Sequence, residues 1–413
     1  MELGYFSMRI YLDYAASTPV APEVLKAMTP YWSEKFGNPS SAHSFGREAE
    51  IVVDEARETL AKFFEVDFDE VYFTSGATEA NNWVAASATN NKQLTTNNSK
   101  PHVITTEIEH ESLLEPIKEL ERQGKIEATY LKPSRDGFIS ASQVEAALNN
   151  NTVLVSVIYV NNEIGTVQPI KEIGKVIEKF KSLNVQRLKE KALNLKPSTL
   201  YPVFHTDAVQ AVQLFEPRLS YIKVDAMTVS GHKLYAPKGV GVLIARKDVP
   251  LLPLLRGGGQ EFEQRSGTLN VPGIVGLGKA IELLSVKGVR QREHKRLAPL
   301  KEQLTNGILQ IIPGAKLTTS KEPQAGHIVN VIIPRVQSQI MLIALDQAGI
   351  AVSAGAACSA KSVQPSPVLL SLGYSADEAL RSLRFSLGRL TTKKEIEATL
   401  EILARLAKRF KIA

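Results

Sequence analysis

The sequence predicts an α/β fold: a seven-stranded, mostly parallel sheet containing one antiparallel strand, followed by a smaller α/β domain. Between residues 71 and 246, short β-type runs alternate with amphipathic helical runs, which is typical of a doubly wound sheet. The reversal at residues 233–240 is shorter than the roughly twelve residues that a parallel crossover needs, so one strand must be antiparallel. After Gly257-Gly258-Gly259 the pattern changes to long helices with isolated strands between them.

Composition limits the classes of function. The chain has 413 residues, of which 44% are hydrophobic and 22% charged, with a formal net charge of +6. Both signs of charge are interspersed, so we interpret the surface as a solvated one and expect no direct nucleic-acid binding. The sequence contains no apolar run of transmembrane length and no secretory or transit signal, so we expect no membrane contact and a cytoplasmic location. Met8 is an alternative start to Met1.

Hydrophobic periodicity places the elements up to residue 246. Strands are expected at 9–13, 71–75, 102–106, 126–131, 153–160, 202–207, 226–230 and 240–246. Helices are expected at 22–36, 44–64, 78–87, 112–123, 142–148 and 170–183. Ser142 and Glu145 have the spacing of a capping box at the start of one of these helices.

The remaining elements predict how the chain divides into domains. Helices are expected at 271–284 and 287–312, strands at 327–333, 350–353 and 383–387, and a last helix that begins at a Thr392/Glu395 capping box. We therefore expect a large domain at 16–270 and a small domain at 271–413, to which the N-terminal segment 1–15 is joined. Length alone fits two or three domains as well as one large α/β domain with a smaller one.

Two stretches are interpreted as surface elaborations of the large domain. Residues 90–100 are rich in Asn and Thr, which predicts a solvated loop. Residues 184–200 are rich in Lys and lie between a helix and a strand, so we expect an extra turn of helix followed by a linker. This basic stretch is either a contact site or a solvated face.

Lys233 closes the motif Ser230-Gly231-His232-Lys233 at the end of a buried β-type run. A lysine there is costly unless its charge is lost or used, and buried lysines serve as Schiff-base amines. The aldehyde cofactor that fits is pyridoxal phosphate, which needs a lysine, an acid on its pyridine nitrogen and a phosphate cup. The alternative is a surface lysine in a Gly/Pro loop.

The ends of other strands supply groups that match this cofactor. Residues 74–79 follow a strand and open a helix, where free N–H groups attract phosphate. Asp207 ends another strand and can hold a pyridine nitrogen protonated, while Gln210 can reach the ring hydroxyl. His110 lies beyond a third strand and can stack on a flat cofactor and move protons. Taken singly, these residues are also ordinary helix caps and a polar loop histidine.

Cys358 and Arg384 are two further candidates. Cys358 is the one cysteine of the chain, which excludes an internal disulfide and an all-cysteine metal site. Its small neighbours in 353–362 predict a mobile loop, which would let a thiolate visit a cofactor and then a partner protein; a small buried hydrophobe is the ordinary alternative. Arg384, in an alternating strand, is either a bidentate carboxylate clamp or a surface arginine.

In this order, these motifs resemble those of the cysteine desulfurases, pyridoxal phosphate enzymes of fold type I in the class V aminotransferase superfamily. The resemblance extends from residue 11 nearly to the end of the chain, and residues 354–361 resemble the group with a long, flexible catalytic loop. The motifs that carry it are Tyr11-Leu12-Asp13-Tyr14-Ala15-Ala16, Gly37-Asn38-Pro39, the loop 74–79, Asn161-Asn162-Glu163-Ile164-Gly165, 207–210, Ser230-Gly231-His232-Lys233, Arg265-Ser266-Gly267-Thr268 and Arg384-Phe385-Ser386-Leu387-Gly388-Arg389.

The resemblance implies a role for each site residue. Lys233 forms the imine with the cofactor, Asp207 pairs with the pyridine nitrogen, Gln210 holds the ring oxygen, and His110 stacks on the ring and transfers protons. The residues implied to bind phosphate are Ala77, Thr78, Ser230 and His232, with Thr268 reaching in from the partner subunit of a homodimer. The residues implied to take the substrate carboxylate are Asn162, which also borders the cofactor, Arg384 and Asn38.

The resemblance also implies a reaction, in which L-cysteine is converted to L-alanine and its sulfur becomes a persulfide on Cys358. The persulfide is passed to acceptor proteins for iron–sulfur cluster assembly or tRNA thiolation, and Cys358 is the one implied metal contact, as a transient iron–sulfur ligand. The insertion at 184–200 and the stop at Ala413, soon after the last helix, depart from the family pattern and leave the acceptor open. Two alternatives also stay open: another enzyme of the superfamily, such as an aminotransferase or a selenocysteine lyase, and a non-catalytic sulfur-trafficking protein.

Overall fold

The computed structural model describes residues 9–89, 100–190, 202–319, 322–355 and 364–413. The strands within these ranges are β1 (Ile10–Tyr11), β2 (Val71–Thr74), β3 (His102–Thr106), β4 (Glu127–Leu131), β5 (Thr152–Ser156), β6 (Val203–Asp207), β7 (Ala226–Ser230), β8 (Gly241–Ala245), β9 (Lys316–Leu317), β10 (Ile328–Ile332), β11 (Ile350–Ala351) and β12 (Ser382–Ser386). The helices are α1 (Pro22–Met28), α2 (Pro30–Ser33), α3 (Ser44–Phe64), α4 (Ala77–Thr89), α5 (Glu111–Arg122), α6 (Ala141–Ala147), α7 (Ile170–Glu190), α8 (Leu219–Ile222), α9 (Val271–Ser285), α10 (Val289–Ile311), α11 (Ser338–Gln347), α12 (Pro367–Ser371), α13 (Ala376–Ala379) and α14 (Lys393–Arg409).

The largest sheet confirms the predicted fold class. Its seven strands lie in the order β2-β8-β7-β6-β5-β3-β4. Strand β8 runs antiparallel to both of its neighbours, β2 and β7, and the other neighbouring strands are parallel. Most strands are buried along their whole length, because helices cover both faces. All seven predicted strands of this sheet are present, and the short turn after Ser230 produces the antiparallel strand as expected.

Two helix predictions are wrong in detail. The helix expected at 22–36 is two helices, because Pro30 has no N–H to donate and instead begins α2. The capping box expected from Ser142 and Glu145 is formed by Ser140 and Gln143. Ser140 has an extended backbone and its hydroxyl accepts a hydrogen bond from the Gln143 N–H at 3.2 Å, so the helix begins earlier than predicted.

Smaller sheets lie towards the C-terminal end of the chain. Strands β9, β10 and β12 form an antiparallel sheet in the order β12-β10-β9, and β1 pairs in parallel with β11. The N-terminal residues Ile10 and Leu12 thus share an apolar cluster with α10, α11 and α14. Helix α9 packs against α1 and α3 in a separate cluster beside the large sheet. The domain division at residue 270 stays a prediction.

A buried ion pair joins helix α3 and strand β2 to the irregular segment that follows the three glycines. The Glu261 carboxylate accepts bonds from the Arg57 guanidinium at 2.6 and 3.0 Å and from the Phe73 N–H at 2.6 Å. The rings of Phe73 and Phe262 flank the guanidinium at 4.7 and 4.9 Å. Glu261, Phe262 and Glu263 all have φ between 49° and 65°, a left-handed conformation that is strained for non-glycine residues. The ion pair therefore holds a strained segment in place.

We expect Glu261→Ala to lower the free energy of unfolding by about 3–5 kcal/mol, because it leaves the Arg57 charge buried and unpaired. Urea denaturation followed by tryptophan fluorescence, to which the fully buried Trp83 contributes, measures this loss. Glu58→Ala on the same helix is the matched control. It breaks only the exposed pair with Lys62 and should cost less than about 1 kcal/mol. Equal effects of the two substitutions would contradict the expectation.

Candidate active site

Side chains predicted to form the site lie where strands of the large sheet end. Strand β6 ends at Asp207, and β7 ends at Ser230, followed by a 3₁₀ turn that contains Lys233. Strand β2 leads into the start of α4, and β3 leads to His110, the N-cap of α5. These strands are parallel to one another, so their carboxyl ends share one edge of the sheet. The fold therefore gathers these groups along one edge.

Lys233 faces the segment that follows the first strand. Its Nζ donates to the carbonyl oxygens of Ala15 and Ala16 at 2.5 and 2.7 Å. Gln210 binds the same segment, with Nε2 2.9 Å from the Ala15 oxygen, and its Oε1 lies 3.3 Å from Nε2 of His327. The backbone of residues 15–16 thus binds both Lys233 and Gln210.

A chain of hydrogen bonds connects Asp207 to His110. Nδ2 of Asn81 donates to Asp207 Oδ2 and to Ser112 Oγ, both at 2.8 Å. Ser112 Oγ lies 2.8 Å from Nδ1 of His110, and that nitrogen also accepts the Ser112 backbone N–H at 3.1 Å. Because a backbone N–H can only donate, Nδ1 is an acceptor, and a neutral His110 carries its proton on Nε2. The network therefore fixes both the orientation and the tautomer of the imidazole.

We expect Ser112→Ala to lower turnover about tenfold with no loss of cofactor, because His110 keeps one donor to Nδ1 but loses its link to Asn81. Removing the imidazole itself with His110→Ala should cost about 10²–10⁴-fold, the usual contribution of a general acid–base group. Steady-state rates of the two single variants and the double variant measure the coupling. Ser112→Thr keeps the hydroxyl and is the matched control. Independent, multiplicative effects of Ser112→Ala and His110→Ala would contradict the network.

A second carboxylic acid is buried beside Asp207. Glu109 accepts bonds from the Ile158 N–H at 2.6 Å and the Thr106 hydroxyl at 3.0 Å, and its Oε2 has no hydrogen-bond partner. Burial, with a smaller contribution from the Asp207 charge, raises the pKa of Glu109 well above its usual value. Burial therefore favours the neutral, protonated form of the Glu109 carboxyl.

The start of α4 leaves room for an anion. Ala77 and Thr78 are the first residues of this 13-residue helix, so their N–H groups have no partner within it. A Cβ on Gly76 would meet no atom within 4 Å, whereas a Cβ on Gly241 would lie 2.7 Å from Gly76 Cα. The loop is thus pressed onto the sheet on one side and open on the other.

The electrostatics of the adjacent turn also suit an anion. Burial, together with the charges of Lys233 and Lys238, lowers the pKa of His232 to about 4, so its imidazole is neutral at pH 7. Ser230 is buried at the end of β7. Pyridoxal phosphate requires an amine, a carboxylate at a strand end, neutral hydrogen-bond donors and a helix N-terminus. The residues present supply these groups, so they fit this cofactor.

Arg384 lies on β12 and is 1% exposed. Its guanidinium donates to Asp13 Oδ1 at 2.8 Å and to the backbone oxygen of Asn162 at 2.9 Å, while its Nε has no partner. The alternative that Arg384 is a surface arginine is therefore wrong. An incompletely paired, buried guanidinium is a suitable partner for a carboxylate.

Three predicted residues are not joined to this group by a described contact. Asn38 uses its Oδ1 to accept the Ser40 N–H at 3.0 Å in the loop before α3, and Thr268 is exposed. Cys358 lies outside the described residues. A depression of about 500 Å³ brings Thr78 and His110 together with Ser112.

Two residues that complete the site, Asn81 and Asp13, were not predicted from the sequence. Asn81 lies one helical turn beyond Thr78, so the helical period could have placed it on the same face. Asp13 belongs to the motif at residues 11–16, but nothing in the sequence indicates its ion pair with Arg384, 371 positions away. Within the described ranges, no group of three or more His, Cys, Asp or Glu side chains is arranged to hold a metal ion.

A mixed seven-stranded sheet whose parallel strands end at a lysine, an aspartate and a helix N-terminus defines the type I fold of pyridoxal phosphate enzymes. Residues 10–186 and 194–399 match the model of the protein family "Aminotransferase class-V". The chain belongs to this aminotransferase class-V family.

Individual proteins similar to this chain share most of its length. "Cysteine desulfurase IscS" of Dictyoglomus turgidum is 39% identical over 402 residues, which cover 97% of this chain and 95% of that protein. A solved structure described as "NIFS-LIKE PROTEIN" has a TM-score of 0.85 at 32% identity, covering 97% of this chain and 100% of its own. Another, "SspA in complex with cysteine", has a TM-score of 0.73 at 35% identity, covering 92% and 99%.

Proposed function

We propose that this protein is a pyridoxal phosphate-dependent cysteine desulfurase, which converts L-cysteine to L-alanine and leaves the sulfur as a persulfide on Cys358. The observation that carries the proposal is the arrangement of Lys233, Asp207 and His110 at one edge of the sheet in a chain whose relatives are named cysteine desulfurases. Bound cofactor supplies an electron sink that stabilises negative charge on the substrate α-carbon.

The chain's own residues hold the cofactor in this proposal. Lys233 supplies the amine that binds the cofactor's aldehyde. Asp207 pairs with the protonated ring nitrogen, and Gln210 holds the ring oxygen. Asn162 borders the cofactor. The residues that take its phosphate are Ala77, Thr78, Ser230, His232 and, from a second subunit, the exposed Thr268. The Asn81 bond to Asp207 Oδ2 orients that carboxylate and leaves its charge available.

Substrate binding and proton transfer use a second set of residues. Arg384 takes the substrate carboxylate, with Asn162 and Asn38 beside it. His110 stacks on the ring and moves protons at Nε2, because Nδ1 is occupied by Ser112. The ion pair with the partly buried Asp13 keeps the buried guanidinium in place before the substrate arrives.

Cys358 receives the sulfur. Its thiolate attacks the substrate sulfur, and the new S–S bond forms as the Cβ–S bond breaks. The electron pair of the broken bond stays on carbon, which takes a proton and leaves as L-alanine. The persulfide then passes to acceptor proteins for iron–sulfur cluster assembly or tRNA thiolation, and any metal contact of Cys358 is as a transient iron–sulfur ligand.

A homodimer would account for the apolar surface formed by α1, α2, residues 34–43 and the first half of α3. The side chains of Trp32 and Phe36 are 66% and 67% exposed, and Leu25, Phe45 and Ile51 are also exposed beside them in sequence. Such apolar area is typical of an interface. No described helix is both long and apolar enough to cross a bilayer. The cytoplasmic location and the absence of nucleic-acid and membrane contacts stay predictions.

The proposal is tested by incubating the cofactor-loaded protein with L-cysteine and a reductant and assaying alanine and sulfide together. Equal amounts of the two products are expected. Transfer of the amino group of L-cysteine to a keto acid, without release of sulfide, would replace the proposal with that of an aminotransferase. The absence of both alanine and sulfide would contradict the proposal.

A further inference from the structure

Glu79 lies in the first turn of α4, next to the residues proposed to bind the cofactor phosphate. Its carboxylate reaches back along the chain and accepts hydrogen bonds from the Ser75 N–H at 2.8 Å and from the Ser75 hydroxyl at 2.6 Å. Ser75 belongs to the loop that leads from β2 into the helix. The carboxylate thus fixes the loop that presents the N–H groups of Ala77 and Thr78.

The charge of this carboxylate would oppose phosphate binding if nothing balanced it. Although burial opposes ionisation, hydrogen bonds from Arg265 and Ser75 lower the pKa of Glu79, so the carboxylate is charged at pH 7. A carboxylate and a phosphate are attracted by the same partial positive charge at a helix N-terminus. Two anions held at one helix end repel each other.

Arg265 supplies the balancing charge. Its Nε and Nη2 donate to Oε1 and Oε2 of Glu79 at 2.7 and 3.0 Å, which is a bidentate arrangement. The two side chains are 16% and 12% exposed, so water and salt screen the pair only weakly. The segment of Arg265 has a further anchor, because the Ser266 N–H donates to the Leu255 oxygen at 3.1 Å. The guanidinium is therefore not the only bond that holds this segment.

We propose that Glu79 and Arg265 are a positioning pair for the phosphate site, in which Glu79 orients the loop through Ser75 and Arg265 cancels the charge of the carboxylate. The proposal rests on the proposed function, because it assumes that the start of α4 binds the phosphate of pyridoxal phosphate. It has a consequence that a purely structural ion pair lacks. Loss of the arginine alone should harm phosphate binding more than loss of both charges.

The test compares pyridoxal phosphate with pyridoxal, which has the same aldehyde but no phosphate. The full-length protein, freed of cofactor, is titrated with each compound, and the visible absorbance of the bound form gives the dissociation constant. Arg265→Met leaves the Glu79 carboxylate unpaired, so it should weaken binding of pyridoxal phosphate at least about tenfold. Binding of pyridoxal should change less than about threefold, because pyridoxal brings no phosphate charge. Equal weakening for both compounds would overturn the proposal.

The double variant Glu79→Gln/Arg265→Met separates charge from geometry. Glutamine keeps an acceptor for the Ser75 N–H and hydroxyl but carries no charge. The double variant should therefore bind pyridoxal phosphate within about threefold of the unaltered protein. Binding as weak as in Arg265→Met would overturn the proposal. If Arg265→Met does not fold, the double variant decides alone, since a tenfold loss of pyridoxal phosphate affinity there would have the same meaning.

Arg218→Met is the matched control. Arg218 binds Glu216 through the same two nitrogens, at 2.8 and 3.1 Å, but it precedes α8, which leads into the amino end of β7. Its substitution should leave the affinity for both compounds unchanged. Failure of the proposed function would look different, because the unaltered protein would then bind neither compound saturably and both proposals would be rejected. Normal binding by the unaltered protein with equal losses in Arg265→Met would reject the pair alone.

Discussion

Replacing Lys233 with alanine should reduce sulfide release from L-cysteine by at least about 10⁴-fold, which corresponds to about 5.5 kcal/mol of lost transition-state stabilisation. The amine is the one group of the proposed site that can bind the cofactor aldehyde covalently. The purified variant should also lose the visible absorbance of the covalently bound cofactor. Sulfide assays and absorbance spectra measure the two effects.

Two variants separate this chemical role from a structural one. Lys233→Arg keeps a cation for the Ala15 and Ala16 carbonyl oxygens but cannot form the imine, so it should be as inactive as the alanine variant. Lys238→Ala, an exposed lysine in the same reversal, should remain active. Borohydride reduction and peptide mapping of the unaltered protein should place the adduct on Lys233. An adduct on a different side chain would overturn the assignment.

The length of the apolar runs and the length of the connections between them predicted the sheet, because both follow directly from how its strands are buried and joined. The strands read as short apolar runs, since most are buried along their length, and the turn after Ser230 leaves too few residues for a crossover. The errors arose where similar local signals compete. Ser140 and Ser142 both precede a polar residue at capping-box spacing, and only the backbone conformation decides between them.

The candidate site was predictable where function coincides with the end of a strand. Asp207 is the last residue of its strand, and Lys233 and His110 lie three and four residues after theirs, so topology alone brings them to one edge. Their partners were not predictable, because Asn81 and Asp13 meet residues 126 and 371 positions away. Hydrogen bonds of this kind depend on packing between elements, which single-sequence periodicity does not encode.

Replacing Cys358 with alanine should abolish sulfide release while the cofactor remains bound. The chain has one cysteine, so no second thiol can take over the sulfur within the same subunit. The variant should still show the spectral change that accompanies substrate binding, because Lys233, Asp207 and Arg384 are unaltered. The expected loss is at least about 10³-fold, as for removal of a covalent nucleophile.

Cys358→Ser provides the sharper comparison, because a hydroxyl of similar size cannot form a persulfide, and it should be as inactive as the alanine variant. Ser362→Ala, a change in the same small-residue stretch, should retain activity. Labelling of the unaltered protein after one turnover with L-cysteine should place one extra sulfur on the peptide that contains Cys358. Sulfide release by Cys358→Ala at the normal rate would show that the sulfur leaves without a protein thiol, as in a lyase. The cofactor site would then stand, and only the sulfur-transfer step would have to be rejected.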